Sequence, residues 1–470
     1  MKKNQQLPTS IPKELLNSLK GVNGFDEKVF VDVHSSGKQV TSIRLNTEKS
    51  TNPNASVLQN KNEKIPWSSS GYYLDERPSF TLDPSFHAGA YYVQEASSMF
   101  LEEAMKQCID LSQTLKVLDL CAAPGGKSTL LQSVISPASL LVSNEVIKTR
   151  VNILAENITK WGACNVIVSN NDPAHFQRLE NYFDVIIIDA PCSGSGLFRR
   201  DPEAINECSL NNVQLCSQRQ QRILADVLPA LKDDGILIYS TCSYSREEDE
   251  DLVKWIMDNF SMDNIRLQLK DDWGVVETAV NNSFGYRFYP GKLRGEGFFI
   301  ACFKKRPSGA GVAERSVRKQ IPKNKKEDKL TAKEIESLQQ FVNNTDDLFF
   351  IRMNEELIAL PLALKDELPV LQSALYIKKA GVKLGRLIGS ELIPDHELAL
   401  STILSEKTAR TDVDKQTALQ YLRRGDIKIE TALKGWALIC FEGLPLGWIK
   451  VLSNRINNYY PKDWRILMKA

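Results

Sequence analysis

Long apolar runs are missing from this 470-residue chain, and no stretch approaches the length of a membrane span. The first residues, Met1-Lys2-Lys3-Asn4-Gln5-Gln6, lead into no apolar core and do not read as a secretory signal. Nine cysteines are present but no Cys-x-x-Cys pair, which argues against a zinc site and against a disulfide framework. Free thiols suit a reducing cytoplasm. No internal repeat is found. Net charge is also scarce, since 59 Lys+Arg meet 58 Asp+Glu. That balance hides an asymmetry. Residues 1–303 hold 30 basic and 37 acidic side chains, or −7, and residues 304–470 hold 29 and 21, or +8. A basic C-terminal part suits a polyanionic partner, although a solvated surface with a charged linker explains it equally.

What is present reads as a soluble globular chain, with 42% hydrophobic and 25% charged residues and length for two or three domains. Residues 1–110 mix a helix near 12–19, a strand at 40–45 and a polar stretch at 48–63. From residue 116 the pattern turns regular. Strands are predicted at 116–120, 140–144, 165–169, 183–189, 235–240 and 297–303. Helices are predicted at 127–135, 148–161, 213–231 and 246–260. Such alternation implies a doubly wound, mostly parallel α/β sheet. Residues 304–329 are rich in Lys, Arg, Gly, Ser and Pro and read as an exposed linker. Residues 331–470 regain apolar side chains and read as a separate, smaller α+β unit.

The run Asp119-Leu120-Cys121-Ala122-Ala123-Pro124-Gly125-Gly126-Lys127-Ser128-Thr129 has the makings of a cofactor loop. Adjacent glycines let the backbone turn tightly after a buried strand. The helix that follows aims its N-terminal amides at the loop. Glu145 ends the next strand, at the spacing where dinucleotide folds hold ribose hydroxyls. Asp172, near the end of the third strand, is the candidate for an adenine edge. This set suits S-adenosylmethionine, which carries no phosphate. A P-loop requires glycine where Cys121 stands, and a GxGxxG fingerprint is absent. A plain tight turn would explain the glycines but not Glu145, Asp172 and Asp189.

Two cysteines follow predicted strands, in Asp189-Ala190-Pro191-Cys192-Ser193-Gly194 and in Ser240-Thr241-Cys242-Ser243. A lone cysteine there is usually an inert core thiol. Two of them beside Asp189 suggest covalent chemistry. A thiolate adding to carbon 6 of cytosine makes carbon 5 nucleophilic, and an acid at ring nitrogen 3 helps the addition. Asp189 could serve as that acid only with a raised pKa. Chemistry alone does not say which thiol attacks.

These stretches, with Tyr91-Tyr92-Val93-Gln94-Glu95-Ala96-Ser97-Ser98-Met99 and Gly295-Glu296-Gly297-Phe298-Phe299, resemble the Sun/NOP-type family of RNA 5-methylcytosine methyltransferases over residues 10–303. The resemblance implies a Rossmann-like class I methyltransferase sheet, S-adenosyl-L-methionine as cofactor and RNA as substrate. It makes Cys242 the nucleophile and gives Cys192 the release of methylated RNA. It assigns cofactor binding to Cys121, Ala122, Ala123, Pro124, Gly125, Gly126, Lys127, Glu145, Asp172 and Asp189, and Asp189 also contacts the cytosine. No metal is implied.

Methylating a base ring requires a flipped or single-stranded nucleotide. Arg199 and Arg200, just after the Cys192 loop, are candidates to grip phosphate or are simply a solvated pair. Residues 450–470 interleave basic and aromatic side chains, as RNA contacts or as ordinary turns with tyrosines in a small core. Gln420-Tyr421-Leu422-Arg423-Arg424-Gly425-Asp426 resembles an element of PUA-type RNA-binding domains, which points to the bacterial small-subunit ribosomal RNA methyltransferase F subgroup. The implied layout is an RNA-positioning unit at 1–110, a methyltransferase domain at 111–304, a basic linker at 305–330 and a PUA-like unit at 331–470. The implied target is 16S ribosomal RNA or the assembled small subunit, bound by a cytoplasmic monomer with no membrane role. A transfer RNA methyltransferase and a non-catalytic assembly factor on the same fold are the alternatives.

Overall fold

Val185-Ile186-Ile187-Ile188 is apolar at every position, which demands burial on both faces of a sheet. All four side chains are fully buried at the centre of a ten-stranded sheet. The fold is taken from a computed structural model, which describes residues 11–49, 61–307, 330–353, 355–389 and 391–468. The sheet's strands are β1 (Lys116–Asp119), β2 (Leu140–Asn144), β3 (Val166–Ser169), β4 (Phe183–Asp189), β5 (Leu231–Thr241), β6 (Met262–Ile265), β7 (Val276–Val280), β8 (Ser283–Phe288), β9 (Phe298–Lys305) and β10 (Ile377–Ala380). Their order is β7-β8-β9-β5-β4-β1-β2-β3-β10, with β6 pairing β9. Helices α1 (Gly126–Val134), α2 (Lys148–Trp161), α3 (Leu210–Val227) and α4 (Glu250–Asn259) connect the strands.

The expected parallel pairing holds for the run β3-β2-β1-β4-β5. It fails at both flanks, where β9 runs antiparallel to β5 and β10 antiparallel to β3. Two elements differ in extent from expectation. Helix α3 stops at Val227 rather than at residue 231, because Pro229 cannot continue it, and β5 starts already at Leu231. The stretch expected to be one helix from residue 246 is a short 3₁₀ turn, Arg246–Glu248, then a break at Asp249 before α4. The break turns the Glu248 and Asp249 side chains inward, where both are buried.

Residues 331–470 do not stand apart from the rest. Strand β10 extends the central sheet, and the Gly381 N–H donates to the Val166 carbonyl at 2.9 Å. The other C-terminal strands form two four-stranded sheets, the last built from Arg410–Asp412, Gly435–Phe441, Leu444–Val451 and Ile456–Asn458. That last sheet shares one apolar core with the N-terminal unit, in which Ile43 and Tyr91 pack with Ala418, Tyr421, Ile439 and Ile449. Of the terminal tyrosines, Tyr460 is buried in that core and Tyr459 is 43% exposed. Lys304 and Lys305, expected to open the linker, instead complete β9. The rest of the expected linker from residue 308 lies outside the described residues, as do the first six residues. Among the described residues, no helix is long and apolar enough to cross a membrane.

Candidate active site

The parallel strands end together at one edge, where such sheets bind ligands. There β1 delivers Asp119 and the loop Cys121–Lys127. Gly125 sits at φ +116°, and a side chain on it would meet Leu154 Cδ1 at 3.3 Å. Thr129, one turn into α1, donates its hydroxyl to the Gly125 carbonyl at 2.9 Å. The loop is gripped from α2: Arg150 Nη2 donates to the Ala123 carbonyl at 2.6 Å and Asn157 Nδ2 to the Pro124 carbonyl at 2.8 Å. Sequence reasoning missed a grip from the N-terminal unit. Arg44, buried and stacked 4.4 Å over Trp161, donates to Thr129 Oγ1 at 2.6 Å, to the Gly126 carbonyl at 3.3 Å and to Gln94 Oε1 at 2.8 Å.

The acids at this edge form one electrostatic group. Asp119 is fully buried, and burial pushes its carboxyl up to about 7 against the Ser128 hydrogen bond at 2.6 Å, with Asp189 and Glu145 adding repulsion. Its Oδ1 is buried with no hydrogen-bond partner. Glu145 is buried, accepts from the Ile147 N–H at 2.9 Å and lies 3.5 Å from Arg150. Asp172 is exposed and caps the turn Pro173–Leu179 through Ala174 N at 3.0 Å. This donor set fits S-adenosylmethionine. Carboxylates and an orphaned acceptor suit amino and hydroxyl groups and would repel a phosphate. Burial and these acids hold the Cys121 thiol protonated, which leaves it a packing role.

Strands β2 and β3 are braced beside this site by asparagines that sequence reasoning passed over. Asn144 Nδ2 donates to the Leu120 and Asn171 carbonyls at 3.1 and 3.0 Å. Asn170 Nδ2 donates to the Glu145 carbonyl at 2.6 Å. Asn171 exchanges hydrogen bonds with the Tyr376 backbone, its Nδ2 donating to the carbonyl at 3.0 Å and its Oδ1 accepting from the N–H at 2.9 Å. The C-terminal strand is thus fastened to the loop that ends β3.

Strands β4 and β5 deliver the two thiols. Cys192 Sγ and Cys242 Sγ lie 2.9 Å apart, both unbonded to any disulfide partner. Their contact, burial and the Glu248 carboxylate together keep the Cys192 thiol far above the usual range, so it holds its proton. Asp189 Oδ2 pairs with Lys127 Nζ at 2.7 Å, and Oδ1 accepts from Ser240 Oγ at 2.9 Å. Burial lowers the Lys127 pKa, but Asp189 outweighs it and the ammonium is stabilised overall, with Cys242 also in electrostatic reach. Asp189 was expected to act as a lone acid, and it is instead one half of an ion pair.

Three further departures stand out. Arg199 is not available to phosphate: it is buried, 2.8 Å from Glu296 Oε2, with a second bond of 2.7 Å to the Gly295 carbonyl. Arg200 is exposed. Glu248 reaches the serines after both cysteines. Its pattern in sequence, Ser245-Arg246-Glu247-Glu248, reads as a helix capping box and conceals this. Arg287, on β8, binds Asp249 and Glu250 behind the Cys242 loop.

Comparisons with known proteins agree with this geometry. Residues 106–304 match the family model described as 16S rRNA methyltransferase RsmB/F. Residues 11–96 match the N-terminal domain of 16S rRNA methyltransferase RsmF, and residues 408–466 the methyltransferase RsmF PUA domain. The ribosomal RNA small subunit methyltransferase F of Shewanella sp. (strain W3-18-1) is 30% identical over 444 residues, which cover 90% of each chain. That of Aliivibrio fischeri (strain MJ11) is 28% identical over 437 residues, again 90% of each. Among solved structures, a methyltransferase homolog protein from Pyrococcus horikoshii matches with a TM-score of 0.50 and 28% identity, over 63% of this chain and all of that one. NSun6 from Pyrococcus horikoshii with SFG shares the fold, with a TM-score of 0.54 and 19% identity over 64% of this chain and 99% of that one.

Proposed function

The chain belongs to the family of the ribosomal RNA small subunit methyltransferases F, and from that premise we propose that it methylates carbon 5 of a cytosine in small-subunit ribosomal RNA, with Cys242 as nucleophile. The observation that carries this reading is the thiol pair at 2.9 Å beside the Lys127–Asp189 ion pair. The attacking sulfur is that of Cys242, which follows Thr241 at the end of β5 as the nucleophile does in the family motif. Cys242 gives its proton to solvent, and the resulting thiolate adds to carbon 6 and pushes an electron pair toward carbon 5. The proton that ring nitrogen 3 takes up is held between Lys127 Nζ and Asp189 Oδ2. S-adenosylmethionine, held by the Cys121–Lys127 loop, Glu145, Asp172 and Asp189, supplies the electrophilic methyl group. The proton on carbon 5 then leaves to water, the bond from carbon 6 to sulfur breaks with its electron pair returning to Cys242, and ring nitrogen 3 gives its proton back to the Lys127–Asp189 pair. The Cys192 S–H stabilises that departing thiolate by a charge-assisted hydrogen bond.

Every group in this scheme comes from one chain, so a monomer suffices, and the thiols and ion pair leave no step for a metal. A cytoplasmic location follows from a ribosomal RNA substrate and free thiols. The unit at 1–110 positions RNA, residues 111–305 catalyse, and 331–470 add PUA-like RNA contacts while β10 extends the catalytic sheet.

The test uses the full chain with methyl-labelled S-adenosylmethionine and three substrates: naked small-subunit ribosomal RNA, assembled small subunits and bulk transfer RNA. The expected result is 5-methylcytosine in the ribosomal substrate. Cofactor binding without 5-methylcytosine in any of the three overturns the enzyme reading. Product in transfer RNA alone overturns the substrate.

A further inference from the structure

The Cys192 and Cys242 sulfurs, carried at the ends of adjacent strands, lie 2.9 Å apart. The two loops are linked directly by Ala190 N to the Ser240 carbonyl at 2.8 Å, Gly196 N to the Cys242 carbonyl at 2.7 Å and Tyr244 N to Ser195 Oγ at 2.9 Å. At the residues next to the thiols, a side chain from a third segment joins them as well. Each thiol is followed by a serine, and both serines bind one buried carboxylate. Glu248 Oε1 accepts from the Ser193 N–H at 2.9 Å and from Gln220 Nε2 at 3.0 Å. Oε2 accepts from Ser243 Oγ at 2.6 Å and from Ser193 Oγ. The two hydroxyl oxygens are 3.2 Å apart. A carboxylate offers about four lone-pair sites, and here all are used. Among the described ion pairs none includes Glu248. A buried anion served by neutral donors alone is costly in stability, which points to a positional role instead.

We infer that Glu248 is the positioning residue of the thiol pair: by holding the serine beside each cysteine it fixes the Cys192 sulfur against the Cys242 sulfur. The consequence for RNA release rests on the function proposed above, whereas the spacing of the sulfurs does not. Without Glu248 the sulfurs move apart, the Cys192 S–H no longer reaches the departing Cys242 sulfur, and the covalent RNA intermediate outlives the methyl transfer.

Phenylarsine oxide tests the spacing directly, because its arsenic bridges two thiols only when they are close. At the Cys192–Cys242 pair the native chain should take up one arsenic, which protects both thiols from N-ethylmaleimide. In Glu248→Gln, and in the double variant Ser193→Ala with Ser243→Ala, bridging should weaken about tenfold or more as the effective concentration of the second thiol falls. Both thiols should still react singly. With RNA, the same variants should lower kcat and accumulate covalent adduct while KM for RNA stays near the native value. Native bridging in both variants overturns the inference, and so does lost bridging with native turnover. If Glu248→Gln does not fold, the serine variant decides alone. If the native chain bridges arsenic but never forms an RNA adduct, the release role falls with the proposed function, and the arsenic measurement still decides the clamp.

Discussion

Replacing Arg287 by methionine removes the cation that sits between two buried carboxyls, Asp249 and Glu250, behind the Cys242 loop. Arg287 is 1% exposed, and its Nε and Nη2 bind the two Glu250 oxygens at 2.6 and 2.5 Å. Nη2 lies 3.1 Å from Asp249 Oδ2, and Nη1 donates to the Tyr244 carbonyl at 2.9 Å. Asp249 in turn accepts from Thr241 Oγ1 at 2.7 Å, one residue before Cys242. Burial pushes the Glu250 carboxyl up, and the guanidinium outweighs it, so Glu250 titrates below its ordinary value. Taking one partner out of a buried ion group costs about 3–5 kcal/mol, because the remaining charge has no solvent. For a catalytic unit of about 200 residues, roughly 2–4 °C per kcal/mol turns this into a fall in Tm of order 10 °C. The pH dependence has a definite sign. A depressed carboxyl pKa contributes stability above its ordinary value of 4.5 and loses it as pH falls through the depressed value. The deficit of Arg287→Met is therefore largest near neutral pH and narrows in acid. Adding Asp249→Asn and Glu250→Gln should recover most of the loss, since a neutral site has no charge left to solvate. Thermal and urea unfolding at pH 7.5 and pH 4 provide the measurement. A loss under about 1 kcal/mol for Arg287→Met, or no recovery in the triple variant, would refute the reasoning.

Cys242→Ser should abolish the covalent adduct with 5-fluorocytosine-containing RNA and Cys192→Ser should retain it, while on ordinary RNA Cys192→Ser should accumulate adduct that the native chain releases; the reverse pattern on denaturing gels would transfer the nucleophile to Cys192. Asp119→Asn relieves a fully buried acid whose pKa is raised from 3.8 to about 7. The gain in stability of the cofactor-free chain should be near zero at pH 4 and grow to a plateau of about 4 kcal/mol above pH 7, with weaker S-adenosylmethionine binding by calorimetry. A gain independent of pH would remove Asp119 from the electrostatic group. Asn171→Leu unpairs the Tyr376 N–H and removes one of two donors to its carbonyl, which keeps the Asn170 N–H at 3.1 Å. It should cost about 1–3 kcal/mol and speed hydrogen exchange of the Tyr376 amide, and unchanged exchange there would show that β10 holds without it.

Much of the catalytic core was legible because its signals are local. A continuous apolar strand, a glycine turn and a helix start are each written within a few consecutive residues, and they place Cys121–Lys127, Asp189, Cys192 and Cys242 at strand ends. The parallel direction of strands β1 to β5 followed from alternation alone, and their order came from the tertiary structure. The antiparallel flanks did not follow from alternation, because strand direction at an edge depends on what the distant chain brings there. Strand β10 comes from a segment about two hundred residues beyond β3, and no local pattern announces that pairing. Arg199 shows the limit for single side chains: a basic residue next to a catalytic loop reads as a phosphate grip, and Glu296 claims it from almost a hundred residues away.

By itself, the sequence determined the chemical inventory: two thiols, a carboxylate and a cofactor loop, spread over three strand ends. Only the tertiary structure decided their relations. It joined Asp189 to Lys127, set the sulfurs 2.9 Å apart, and turned Glu248 out of an apparent helix cap onto the serines beside both cysteines. The physical reason is that propensity and patterning act over a few residues. Burial, by contrast, leaves a charged or polar group no partner but the one that folding brings to it, however far along the chain that partner lies.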